Sequence, residues 1–161
     1  MIWLGIDTSN APLSVALVQD GKTLAEIVQN VKLTHSVGAM AAVEEVFKKA
    51  KLQPNMVDAI VVAEGPGSYT GVRIGVTIAK TLAWTLKKPL VGVSSLKALA
   101  ANGSYFDGAV CALFDARRQT VFAGVYQGAS GDVVIPDGHY ELVQLLDNLS
   151  SCDKKVYFLG S

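Results

Sequence analysis

Few side chains in this 161-residue sequence have the type and spacing that chemistry requires. The run Gly65-Pro66-Gly67-Ser68-Tyr69-Thr70-Gly71 stands between an apolar strand-like segment and a helical one. Backbone amides at such a junction can cradle an anion with help from the helix dipole. The run is no Walker A motif, because no Lys-Ser/Thr pair follows its last glycine. Pro66 also withholds one amide donor, and no acidic residue ends the next strand to hold a ribose. Two readings stay open, a structural turn and a phosphate site. Ser68 lacks the context of a nucleophile elbow. His35 and His139 lie far apart, without an acidic or thiol companion at ligand spacing. Asp7 closes the first strand. Asp115, Arg117 and Arg118 share a turn that can bind an anion or simply be held by the Asp side chain. Cys111 sits in an apolar run and reads as a buried thiol, and with Cys152 it makes neither a disulfide framework nor a metal site. No metal and no cofactor is therefore expected.

The segments that carry these residues alternate between strand and helix. Ile2–Ile6, Leu13–Gln19 and Lys22–Gln29 predict three antiparallel strands, the last two joined by Asp20-Gly21, whose turn needs positive φ at both residues. A helix is expected from Ser36 to Lys51, capped by Thr34 or Ser36, with lysines at its negative end. A strand follows at Asp58–Ala63, then the glycine run and a helix from Val72 to Lys87 stopped by Pro89. Leu90–Val93 is a strand, and Ser94 or Ser95 caps a short helix to Ala101. After a break at Asn102-Gly103-Ser104, strands are expected at Ala109–Phe114, Thr120–Tyr126 and near Val133–Ile135. A helix at Glu141–Leu149 and a strand at Lys155–Leu159 complete the sequence. This order implies an α/β fold with a parallel or mixed sheet, one lobe over residues 1–103 and the start of a second over 104–161. The last strand has nothing after it to cover it, as expected of an incomplete second lobe.

One pattern points to association. Gly71, Gly75, Ala79 and Ala83 recur every four residues and form a stripe of small side chains. Gly38, Ala39, Ala41 and Ala42 make the preceding helix small-faced too. Such faces let helices approach closely, within the chain or between chains, and residues alone leave both open.

Half the residues are hydrophobic and 17% are charged, so a sizeable core is expected and disorder is not. Lys+Arg and Asp+Glu are 14 each. With zero net charge and only short basic clusters, such as Lys87-Lys88 and Arg117-Arg118, no aromatic-basic surface is expected. That argues against a direct nucleic-acid binder. A secretory signal pattern and an apolar stretch of membrane-spanning length are both missing from the sequence, so a soluble cytoplasmic protein is expected.

Four stretches together resemble the TsaB (YeaZ) family. They are Leu4-Gly5-Ile6-Asp7-Thr8-Ser9, Gly65 through Gly75, Gly92-Val93-Ser94-Ser95-Leu96 and Asp115-Ala116-Arg117. Their order spans Met1 to about Tyr126, and the match beyond Gly128 is loose. The resemblance implies the actin/sugar-kinase/Hsp70-like (ASKHA), ribonuclease H-like fold and a role in threonylcarbamoyl-adenosine (t6A) modification of tRNA. It also implies a non-catalytic scaffold that pairs with the catalytic subunit TsaD, with itself when alone, and reaches a TsaE-like ATPase through the complex. Transfer RNA is then met only indirectly. In TsaD-like proteins two histidines of an Asn-His-x-x-x-His pattern bind the metal, and Ser95 and Leu99 stand at those positions here. Nucleotide-binding members of the fold place a glycine where Asn10-Ala11-Pro12 stands. The implied degenerate site comprises Asp7, Gly65, Gly67, Ser68, Arg73, Asp115 and Arg117. The implied interface comprises His35, Gly38, Ala42, Gly71, Gly75, Ala79 and Ala83, so a bulky residue at Gly75 or Ala79 is expected to break association while the fold survives. The competing expectation is a degenerate small-molecule kinase or another nucleotide-binding enzyme of this fold, using Asp7 and the glycine loop.

Overall fold

A computed structural model of the chain describes residues 1–30 and 35–160, and at positions 35 and 36 the backbone only. The chain divides into two compact units, Met1–Val93 and a second from Ser94 onward.

In the first unit, β1 (Ile2–Asp7) alternates, so that Leu4 and Ile6 are buried while Trp3 points to the opposite face. The same face receives Leu13, Val15 and Leu17 from β2 (Leu13–Gln19). Each fully buried leucine here contributes roughly 1.5–3 kcal/mol. A turn at Asp20 (φ 49°) and Gly21 (φ 79°) leads into β3 (Lys22–Gln29), as its sequence required. β1 pairs antiparallel with β2 and parallel with β4 (Ala59–Ala63), which pairs parallel with β5 (Leu90–Val93). The strand order is β3-β2-β1-β4-β5. Helices α1 (His35–Ala50) and α2 (Tyr69–Leu86) pack on the sheet through a core that includes Ala39, Ala42, Val43, Val46, Phe47, Ala79 and Ala83. The cap proposed at Thr34 lies outside the described residues.

The second unit repeats this plan. β6 (Ala109–Asp115), β7 (Thr120–Gln127), β8 (Val133–Glu141) and β9 (Val156–Gly160) stand in the order β8-β7-β6-β9, with the same directions as β3-β2-β1-β4. β6 reads as a continuous apolar run because both faces are covered. Val110, Ala112 and Phe114 meet Leu96 and Ala100 of α3 (Ser95–Ala100). Ala109 and Cys111 meet Leu145 and Leu149 of α4 (Leu142–Ser150).

Three expectations need correction. The division falls at Val93/Ser94 and not after Gly103, because α3 packs on β6 and β7 and so belongs to the second unit. α2 begins at Tyr69 and not at Val72, since the Ser68 hydroxyl accepts the Gly71 amide at 3.2 Å and caps the helix one turn earlier. β8 runs on to Glu141 through Pro136, which an edge strand tolerates.

Candidate functional site

The glycine loop lies on the loop that follows β1. Asp7 Oδ1 accepts the Ser9 amide (2.9 Å) and the Ser9 hydroxyl (2.6 Å), so its carboxylate is engaged in its own turn. Thr8 and Ser9 are fully buried. The Thr8 hydroxyl donates to the Gly71 carbonyl (2.6 Å) and the Ser68 amide donates to the Ser9 carbonyl (2.7 Å). A Cβ at Gly67 would overlap the Ser9 carbonyl, and one at Gly71 the Thr8 carbonyl. These glycines are therefore required for backbone to lie on backbone. The amides of Ser68, Gly71 and Val72 already have acceptors within the chain. Of the two readings left open for this loop, that pattern favours the structural turn over a phosphate cradle. Gly65 (φ 104°) opens the loop in a conformation that suits glycine. Arg73 is exposed, with its guanidinium 5.1 Å above the Tyr69 ring.

Asp115 and Arg117 belong to the second unit, where Asp115 Oδ1 accepts the Arg117 amide at 2.8 Å. Arg117, Arg118 and Gln119 all adopt left-handed backbone (φ 67°, 51° and 63°), which is costly for side-chain-bearing residues. His139 accepts from or donates to the Thr120 hydroxyl beside this turn. In the same unit, Asp137 receives hydrogen bonds from the Tyr126 and Ser94 hydroxyls. Burial and the Asp137 bond push the Tyr126 phenol well above its ordinary range. Burial also pushes the Cys111 thiol up to about 11. Among the described residues no group of three or more His, Cys, Asp or Glu side chains could hold a metal ion.

The small-residue stripe meets the sheet and not a partner. Gly71, Gly75, Ala79 and Ala83 are buried, and a Cβ at Gly75 would overlap the Thr8 hydroxyl. Ala42 is fully buried as well, and among the described side chains of the expected interface only Gly38 is partly open. The His35 side chain lies outside the described residues. As direct contact residues, the stripe and Ala42 are thus corrected. A bulky substitution at Gly75 or Ala79 reports on the fold first, contrary to the expectation that the fold survives it. Periodicity had identified the shared face, but not what the face would meet.

The open side of the helix pair is different. A groove between α1 and α2 is lined by Met40, Thr70, Arg73, Ile74, Thr77 and Ile78. Met40 is 42% exposed, and Val37 and Tyr69 about three-quarters. Another feature escaped the sequence reading. Trp84 is 88% exposed near the end of α2, over a recess it shares with Lys80, Lys87 and Lys88.

Two successive units of one strand order, the first with two helices on its sheet, define a protein of the ASKHA, ribonuclease H-like class. A ROK hexokinase from Thermus thermophilus shares this fold at 17% identity (TM-score 0.50; 83% of this chain, 48% of that one). Residues 22–156 match the family described as TsaD, tRNA N6-adenosine threonylcarbamoyltransferase. The chain is 49% identical over 99% of its length to the tRNA threonylcarbamoyladenosine biosynthesis protein TsaB of Bacillus subtilis, of which it covers 71%. A solved structure of YeaZ from Pseudomonas aeruginosa is similar over 86% of this chain and 66% of that one (TM-score 0.77, 30% identity). The chain belongs to the TsaB family of tRNA threonylcarbamoyladenosine biosynthesis proteins. It spans 51–71% of the lengths of four such relatives. Among the described residues no helix is long and apolar enough to cross a membrane.

Proposed function

We propose that this chain is a non-catalytic scaffold for t6A modification of tRNA, pairing with a TsaD-like catalytic subunit through the open side of α1 and α2. Alone it pairs with a second copy of itself. The tRNA and the activated threonylcarbamoyl group are substrates of the complex, and a TsaE-like ATPase joins through that complex. The observation that carries the reading is the groove of Met40, Ile74 and Ile78, with Thr70, Arg73 and Thr77 on its rim. An apolar floor with a polar rim is the usual anatomy of a protein interface. Two further points support a non-catalytic role. Ser95 and Leu99 stand where TsaD-like proteins place metal-binding histidines, and Leu99 packs against the core of its unit. Asp7, the carboxylate a kinase of this fold would use, is held by Ser9.

The test is Ile74→Arg, alone and with Met40→Glu, measured by light scattering and by co-purification with a TsaD-like subunit. Both partners should dissociate at least tenfold more readily while far-UV circular dichroism stays unchanged. Undiminished association would refute the assignment of the groove.

A further inference from the structure

Near its C-terminal end α2 carries Trp84, whose side chain is 88% exposed. The recess beside it measures about 850 Å³ and is lined by Lys80, Thr81, Ala83, Trp84, Lys87, Lys88 and Leu90. Among the described residues no acidic side chain lines this recess, and α2 contains none along its length. The side-chain ammonium groups of Lys80, Lys87 and Lys88 make no ion pair or hydrogen bond among the described residues. Asp58 stands two residues before Ile60, the partner of Leu90, so the register brings it towards Lys88. Its carboxylate is already engaged by the Ile2 amide at 2.7 Å.

Lysines near a helix C-terminus offset the helix dipole, and that accounts for their charge. It does not account for a bare indole among them. Two kinds of partner would value an aromatic plate with three free ammonium groups. One is an acidic protein surface, but protein interfaces are depleted in lysine. The other is single-stranded nucleic acid, where a base stacks on the aromatic ring and flexible ammonium groups meet phosphates one at a time. We infer that Trp84 with Lys80, Lys87 and Lys88 is a binding platform for an unpaired stretch of RNA. The chain itself then touches the nucleic acid on which its family acts. This site is separate from the pairing groove, since no residue lines both.

The probe is a fluorescein-labelled 12-nucleotide single-stranded RNA, titrated with the full chain and followed by anisotropy. Three neutralised phosphates give a slope near −2 in log K against log salt, hence about an 18-fold loss of affinity between about 50 and 200 mM salt. Trp84→Ala should weaken binding about 5- to 160-fold with that slope unchanged. Trp84→Phe should recover most of the loss, because stacking needs only a ring face. Lys87→Gln should reduce the slope by about 0.7. Far-UV circular dichroism should match the parent chain in every variant, since Trp84 is exposed. No saturable binding at about 50 mM salt would overturn the inference, as would a Trp84→Ala variant that binds like the parent. A third overturning result is poly-glutamate displacing the RNA at equal charge and losing affinity equally in Trp84→Ala, which would mark a site for acidic protein.

Discussion

Gly75→Ala adds a single methyl group where α2 crosses the end of β1. The new carbon would overlap the Thr8 hydroxyl and sit 3.5 Å from Thr8 Cβ and 3.7 Å from Val62 Cγ2. The hydroxyl must therefore turn away, and the bond it now donates to the Gly71 carbonyl at 2.6 Å is lost. Thr8 is fully buried, so water cannot replace that bond. Leaving a buried donor unmatched costs about 1–3 kcal/mol. Overpacking adds about 1–3 kcal/mol. Alanine's better helix propensity returns about 1 kcal/mol. The net is a destabilisation of about 1–5 kcal/mol, with a centre near 3, a large part of the 5–15 kcal/mol that usually holds a domain together. The assay is urea denaturation followed by circular dichroism, run as a cycle with Thr8→Ala and the double variant. Removing the Thr8 side chain frees the space, so Gly75→Ala should cost less than about 1 kcal/mol in the Thr8→Ala background. A Gly75→Ala chain as stable as its parent would refute this reasoning, and so would a double variant whose losses simply add.

Two other outcomes follow from the same structure. Under native conditions a thiol reagent should titrate half-exposed Cys152 and spare buried Cys111, with both reacting after unfolding. The Cys111 thiol is raised in the folded state from its ordinary 9 to about 11, so the unfolded chain loses its proton first, and this contribution to stability is present below pH 9 and falls between about pH 9 and 11. A stability profile flat across that window in the parent, and matched by Cys111→Ala, would contradict the assignment. Ser68→Ala should remove the cap on the Gly71 amide and cost about 1 kcal/mol in urea denaturation, and no measurable loss would refute the capping role.

Elements with strong local signals were readable from residues alone. Asp20-Gly21 specified its hairpin because few other pairs accept positive φ twice. Ser94 or Ser95 was the expected cap of α3, and it is the Ser94 hydroxyl that accepts the Lys97 amide at 3.1 Å. Features set by distant partners were not readable. The start of α2 was misplaced because Ser68 lies among loop glycines whose purpose is the close approach to Thr8 and Ser9. The small stripe was visible, yet only the fold shows that β1 and β4 fill the space in front of it. The exposure of Trp84 has no local signal in the sequence, because it depends on where α2 turns relative to the sheet. Nothing local marks Arg117, Arg118 and Gln119 as left-handed, and that backbone is unusual for their types.

In both units the first strand in sequence ends up inside its sheet, β1 between β2 and β4, and β6 between β7 and β9. A nascent chain leaving the ribosome can zip β1 to β2 at once through a short connection. The other side of β1 must wait until α1 has emerged and Ala59 begins β4. β6 likewise waits through α4 for Val156. Synthesis therefore passes twice through an interval in which an apolar strand offers a bare edge, the state in which wrong pairing with a neighbouring chain competes best. Helices form in about a microsecond, whereas the ribosome adds only about 5–20 residues per second, so the lengths of chain up to Ala59 and Val156 set how long each edge stays bare.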